Sequence, residues 1–152
     1  MTFKIFILKL LTNKVLAASL AAWIFALLLK GTIISIKQKK MSVGNFIGAG
    51  GMPSSHTALV AALVTGVGLK EGWHGTLTAI TCIFALIVMY DSSGVRFAAG
   101  QQATTLNKIV AEIFKDRAID QRRLRESLGH NLTEVIVGAV LGALIALMMF
   151  NF

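Results

Sequence analysis

The chain is poor in cysteine, proline and acidic residues. Its 152 residues include one cysteine, Cys82, and one proline, Pro53. A single cysteine excludes an internal disulfide and any metal site built from several cysteines, and a single proline leaves long stretches free to form uninterrupted helices. Only 14% of the residues are charged, whereas 55% are hydrophobic. This composition argues against an ordinary soluble domain and against a disordered chain.

The charge that is present is mostly positive. Fifteen lysines and arginines face seven acidic residues, which gives a formal net charge of +8. In so apolar a chain, a basic excess is more typical of contact with anionic membrane lipid than with nucleic acid. We therefore expect membrane lipid, and no nucleic acid, among its partners. The length predicts a single domain, residues 1–152.

Long apolar runs predict membrane-spanning helices, each of which needs about 20 mostly apolar residues. Four segments qualify as candidates: Val15–Ile36, Pro53–Leu69, Gly75–Tyr90 and Leu132–Phe150. The second and third are short and are joined by a polar turn that contains Trp73, an aromatic residue suited to the membrane interface. The expected fold class is therefore an all-α integral membrane protein with about four transmembrane helices.

The polar region between the third and fourth segments predicts a separate surface helix. Apolar residues recur there at helical spacing, and we expect an amphipathic helix from about Gln101 to Lys115. The residues that define its apolar face are Leu106, Ile109, Val110, Ile113 and Phe114. A basic stretch follows, with Arg117, Arg122, Arg123 and Arg125.

The distribution of basic residues predicts sidedness. With four spans, the basic stretch and the loop Lys37–Met52 fall on one side, which the positive-inside rule places in the cytoplasm. Lysines near the N-terminus argue the other way. Residues Thr2–Leu16 suit an amphipathic helix in the membrane interface; a signal peptide is the alternative, but no convincing cleavage site follows.

The first segment with chemical potential is residues 48–58, where glycines and a proline precede a helix. Glycines such as Gly51 let the backbone approach a ligand closely. Ser54, Ser55 and the unpaired N–H groups of a helix N-terminus form a favourable place for a phosphate. His56 follows on the first turn, within reach of the same ligand. The simpler alternative is a glycine turn followed by Ser54 as a helix cap.

The second segment is Leu128–Gly142, where His130 and Glu134 stand four residues apart. On a helix this spacing places both side chains on one face. A carboxylate that accepts the Nδ1 proton fixes the histidine tautomer and leaves Nε2 with its lone pair, as a nucleophile or base requires. The alternative is a first-turn acid favoured by the helix dipole beside an interfacial histidine. Gly138 and Gly142 are expected to permit close helix packing.

The third segment is Tyr90–Asn107. Arg96 offers a rigid fork that matches phosphate, and Asp91 is placed to orient Arg96 or a histidine. Asp91 and the residues after it are equally typical of a turn. Among the lysines that follow the first apolar run, Lys40 is a candidate phosphate ligand, with contact to anionic lipid as the alternative.

Together the motifs GGMPSSHTA (50–58), YDSSGVRFAAGQ (90–101) and LGHNLTEV (128–135) resemble the divergent PAP2 family. These are small bacterial and plastid membrane proteins related to the type 2 phosphatidic acid phosphatases. The resemblance runs from about Lys37 to Gly142. It implies a location in the bacterial cell membrane. The positive-inside rule, applied to the basic loops, predicts that the site lies on the cytoplasmic side.

The resemblance also implies a mechanism, a two-step phosphoryl transfer through a phosphohistidine with no metal and no other cofactor. By the match of motifs, His130 would be the nucleophile and Glu134 the residue that orients it. His56 would protonate the leaving alkoxide, and Arg96 would bind the phosphate. Lys40, or a lysine just before it, would stand for the lysine of the family's first motif.

The sequence departs from the parent enzymes in three places. Arg96 lies 34 positions before His130, whereas the parent arginine lies only a few residues before its histidine. No Arg-Pro pair is present, and Ser55 replaces a glycine. The chain also has room for fewer spans than the parent enzymes have, and a homodimer is one way to supply the missing helices.

The residues and the resemblance converge on a phosphate at a membrane surface. We expect a membrane lipid-phosphate phosphatase that hydrolyses a phosphomonoester or a diphosphate, with a phosphorylated lipid as its substrate. The alternatives are a non-catalytic lipid-phosphate binder or transporter and a structural subunit of a larger membrane complex.

Overall fold

A computed structural model describes residues 12–47, 50–113, 124, 126 and 128–151. All the regular structure in these residues is helical, which confirms the predicted all-α class. The α-helices of this part of the chain are α1 (Lys14–Gln38), α2 (Val43–Ile47), α3 (Ser55–Glu71), α4 (Thr76–Tyr90), α5 (Arg96–Ile113) and α6 (Leu132–Asn151). A π-helical turn, Asp91–Val95, joins α4 to α5.

The number of membrane-spanning helices differs from the prediction. Within the described residues, 3 helical segments are long and apolar enough to cross a bilayer: α1, α6 and the continuous run Thr76–Ile113. The expected count of four is therefore wrong, and about three is correct. The segment predicted as the second span forms α3, which has 17 residues and is rich in small side chains. Such side chains suit packing between helices better than contact with lipid.

The surface helix also differs from the prediction. It is not separate from the third span, because the helix continues from α4 through the π turn into α5, which begins at Arg96 rather than near Gln101. The reason is local. The DSSGV segment has a composition typical of a turn, but it stays helical through π-type hydrogen bonds between residues five apart, such as Arg96 N–H to Asp91 O. Leu106 and Ile109 are exposed on α5.

Several predicted features lie outside the described residues. These are the N-terminal residues up to 11, the end of the predicted surface helix (Phe114 and Lys115), and the basic residues Arg117, Arg122, Arg123 and Arg125.

Helix α3 lies inside the bundle, in contact with α1, α4 and α6. Its packing depends on small side chains, because helices in lipid gain from close backbone approach rather than from the exclusion of water. The residues at the centre of the core are alanines with no exposed surface: Ala18, Ala22, Ala26, Ala58, Ala62 and Ala146.

Gly138 and Gly142 bring α6 into contact with the backbone of α3, as the sequence predicts. A Cβ atom on Gly138 would lie 2.5 Å from the carbonyl oxygen of Ser54, and one on Gly142 would lie 2.1 Å from that of Ala58. Both distances are too short for any side chain, so glycine is required at both positions.

The contacts at the two ends of the bundle fix the direction of its helices. At one end, Val15 of α1 and Phe150 of α6 both pack near Gly66 of α3. At the other end, the backbone N–H of Ser54 donates to the carbonyl of Glu134 at 3.1 Å. The starts of α3 and α6 therefore meet at this second end, which we call the site end.

We expect Gly142→Ala to lower the free energy of unfolding by about 1–3 kcal/mol, the usual range for overpacking, because the added Cβ overlaps the Ala58 carbonyl. Thermal unfolding in detergent measures the effect. Gly44→Ala is the matched control, since a Cβ there meets only the Ser42 hydroxyl at 3.6 Å. Equal unfolding temperatures for the two variants would contradict the packing described here.

Candidate functional site

The site end contains a partly buried histidine–carboxylate pair. Nδ1 of His130 lies 2.8 Å from Oε2 of Glu134, and the two side chains are 7% and 18% exposed. An ionised carboxylate only accepts hydrogen bonds, so Nδ1 carries the proton, and in the neutral imidazole Nε2 then keeps its lone pair. The structure therefore makes the contact between His130 and Glu134 that the spacing predicts.

Glu134 is held in place by the first turn of α6. Asn131 caps this helix: its Oδ1 accepts from the backbone N–H of Glu134 at 2.9 Å, and its Nδ2 donates to Oε1 of Glu134 at 3.5 Å. The acid also lies at the positive end of the helix dipole. The first-turn role and the contact with His130 therefore coexist in one side chain.

His130 is positioned by the π turn. Its backbone N–H donates to the carbonyl of Ser92 at 2.9 Å, so that an oxygen of the π turn accepts a bond from outside its own helix. The preceding residue, Gly129, has φ of +77°, and a Cβ there would lie 2.3 Å from the backbone nitrogen of Phe97. Only glycine fits this conformation and this space.

His56 lies on the first turn of α3 and is exposed. Its imidazole interacts electrostatically with Arg96, His130, Lys30 and Asp91. These residues come from three other parts of the chain, namely α1, the π turn with the start of α5, and the segment before α6. The structure thus brings both predicted histidines and the predicted arginine to one end of the bundle.

Arg96 and Asp91 form an ion pair across the π turn, in which Nε of Arg96 donates to Oδ2 of Asp91. The two side chains are 60% and 39% exposed, so the guanidinium lies at the open side of the site. Asp91 thus contacts Arg96, one of the two partners expected for it, and its orienting role stays a prediction. A guanidinium has further N–H donors beyond Nε, and these are the groups that match a phosphate.

Sequence reasoning missed Lys30, which belongs to this cluster. Its side chain comes from α1 and is only 2% exposed, and its charge interacts with that of Glu134 and with His56. A Cβ on Gly51 would lie 3.4 Å from the Lys30 stem, so the glycine loop packs directly on this lysine. The signal was present in the sequence, because an ionisable residue inside a predicted span favours a functional role.

The remaining predicted ligands differ in their positions. Ser54 is fully buried and caps α3, accepting from the Thr57 N–H at 3.4 Å; this was the alternative expected for it. Ser55 is buried beside it, and Gly51 has φ of +87°. Lys40 is exposed just beyond α1. Contact of these four residues with a phosphate stays a prediction.

Carboxylate and imidazole side chains also bind metal ions. Within the described ranges, no three His, Cys, Asp or Glu side chains are grouped as a metal site would need.

Comparison with known proteins agrees with the family resemblance of the motifs. A family model described as the divergent PAP2 family matches residues 11–145. The chain belongs to the divergent PAP2 family. The matched range includes Lys30, which precedes the motifs that carried the resemblance.

A curated relative is similar to this chain over nearly the whole length of both proteins. It is the "Uncharacterized membrane protein YuiD" of Bacillus subtilis (strain 168), 43% identical over 156 residues, which cover 95% of this chain and 99% of the relative. No solved structure matches the chain. The apolar helices and the similarity to this membrane protein together show that the chain is a membrane protein.

We expect Glu134→Gln to change the tautomer of His130. A glutamine amide can donate to Nδ1, so the proton is no longer held there and the population with Nε2–H rises. Ring ¹⁵N shifts measure this, and three histidines make the assignment simple. His74, which lies between α3 and α4, is the internal control. An unchanged His130 tautomer would contradict the orienting role of Glu134.

Proposed function

We propose that this protein is a membrane lipid-phosphate phosphatase that transfers the phosphoryl group to His130. The observation that carries the proposal is the partly buried His130–Glu134 pair at 2.8 Å, beside His56 and the charges of Arg96 and Lys30 at the site end. Membership of the divergent PAP2 family supports a phosphatase-related role.

The reaction proceeds in two balanced steps. Nε2 of His130 bonds to phosphorus, the bond from phosphorus to the lipid oxygen breaks, and the departing alkoxide takes a proton from His56. A water molecule then gives a proton to His56 and bonds to phosphorus, and the bond from phosphorus to Nε2 breaks. The net change is hydrolysis of the phosphate ester, with both histidines restored.

Positive charge stabilises the transferring group. Phosphoryl transfer depends mainly on positioning and on groups that face the equatorial oxygens. Arg96 supplies a fork of N–H donors at the exposed side of the site, and Lys30 supplies a charge from the buried side. Glu134 stabilises the positive charge that His130 gains when it bonds to phosphorus.

The surroundings favour a lipid as the substrate. The site lies where apolar helices end, so a phosphorylated headgroup reaches the cluster while its acyl or prenyl chain stays against the helices. Phosphatidate, phosphatidylglycerophosphate and prenyl diphosphates have this chemistry. We propose that the protein lies in a bacterial cell membrane with its site on the cytoplasmic side. This location favours phosphatidate and phosphatidylglycerophosphate as substrates.

Phosphate release from these lipids by the purified chain tests the proposal. We expect His130→Ala to lower kcat by a factor of about 10³ or more, since it removes the nucleophile, while binding of the lipid phosphate is retained. His74→Ala, at the opposite end of the bundle, should stay within about twofold of the parent, a change within about 0.4 kcal/mol.

One result would reject the phosphatase: a folded chain that releases no phosphate from any of these lipids. If, in addition, His56→Ala, His130→Ala and Arg96→Ala all lose binding of the lipid phosphate equally, the same cluster serves as a non-catalytic lipid-phosphate binder or transporter.

Lys30→Met tests the contribution of the buried lysine. The substitution keeps the length of the apolar stem and removes the charge, and we expect kcat to fall by about 10²–10³, as when one donor to a developing charge is removed. Lys70→Met is the control, because Lys70 is exposed at the end of α3. Equal turnover in the two variants would show that Lys30 does not face the phosphoryl group.

A further inference from the structure

The described residues of the segment that precedes α6 contact α5 and the π turn. We call residues 124–130 the return segment; within it, residues 124, 126 and 128–130 are described. The side chain of Asn107 on α5 pairs with the backbone of Leu124: Oδ1 accepts from the Leu124 N–H at 3.0 Å, and Nδ2 donates to its carbonyl at 2.9 Å. Nδ2 also donates to Oε1 of Glu126 at 2.8 Å.

From Asn107 the return segment follows α5 back toward the site. A Cβ on Gly100 would lie 2.7 Å from the carbonyl oxygen of Glu126 and 2.8 Å from that of Leu128. Gly129 packs on the backbone at Phe97, and His130 reaches Ser92. The residues of α5 and the π turn are therefore contacted in descending order while those of the return segment ascend, so the two run antiparallel.

The contacts of the glycines and the hydrogen bonds of Asn107 hold the return segment in different ways. Irregular backbone has N–H and C=O groups that no helix satisfies, and they need partners from elsewhere. The glycine contacts limit how closely the segment approaches α5, and as van der Waals contacts they are less directional than hydrogen bonds. The paired bonds of Asn107 hold both the N–H and the C=O of one residue, Leu124, and so fix the position of that residue along α5.

We propose that Asn107 is a positioning residue that aligns His130 by fixing the return segment on α5. For its effect on turnover, this inference rests on the proposed phosphatase function; for its effect on His130 itself, it does not. Asn107 lies 23 positions from His130 in the sequence and acts through Leu124 rather than by contact with the imidazole.

The test compares Asn107→Ala with Asn13→Ala in the full-length chain in detergent. Asn13 is a matched control because its side-chain oxygen also binds backbone N–H groups, those of Val15 and Leu16, but at the start of α1, the opposite end from the site. Three readouts are taken: backbone hydrogen exchange of residues 124–130, the ring ¹⁵N signals of His130, and the kinetics of phosphate release.

For Asn107→Ala we expect exchange in the return segment to be faster by about tenfold or more, and the His130 ring signals to shift or broaden as its bond to Glu134 weakens. We expect kcat to fall about tenfold with KM within about twofold, which corresponds to about 1.4 kcal/mol in the transition state. Asn13→Ala should change none of the three.

Unchanged exchange in the return segment would overturn the proposal, and so would faster exchange with unchanged His130 signals. In an active chain, an unchanged kcat in Asn107→Ala would also overturn it. If the parent chain hydrolyses no lipid phosphate, the proposed function fails, and the exchange and ring signals still decide the role of Asn107.

Discussion

Two backbone hydrogen bonds hold the candidate site together. The N–H of His130 binds the carbonyl of Ser92, and the N–H of Ser54 binds the carbonyl of Glu134. The first joins the segment before α6 to the π turn, and the second joins α6 to the start of α3. Every side chain of the cluster except Lys30 comes from one of these joined segments or the residues beside them, so the two bonds connect the parts of the chain that supply the cluster.

The small residues of the bundle make these bonds possible. The bond between Ser54 and Glu134 requires the starts of α3 and α6 to lie almost in backbone contact, and Gly138 and Gly142 provide that approach. The alanine core continues the same close packing toward the other end. The close approach of α3 and α6 therefore both packs the apolar interior and brings residues of the polar site together.

Lys30 places a charged group in the buried part of the site end. A buried lysine is costly unless other groups compensate for its charge, and here the charge of Glu134 acts on it. The site end therefore places the charge of Lys30 on the buried side of Glu134 and His130, and the Arg96 guanidinium on the exposed side. Cationic donors on two sides of one site suit an anion such as a phosphate.

The sequence was most informative where a signal is local. The apolar runs predicted the helical membrane class, the i, i+4 spacing predicted the contact of His130 with Glu134, and Gly138 and Gly142 predicted close packing. What depends on tertiary context was not predictable: the turn composition of DSSG gave no sign of a continuous helix through a π turn. Lys30 was visible as a lone charge in a span, but only packing shows that it shares a site with residues a hundred positions later.

The covalent intermediate is the most direct test of the account. The chain is mixed with a lipid whose phosphate is labelled with ³²P, quenched in alkali within milliseconds to seconds, and digested for peptide mapping. The account predicts an alkali-stable, acid-labile label on the peptide that contains His130, formed and lost fast enough to account for turnover. Phosphate release without any labelled histidine, or a label on a different residue, would contradict it.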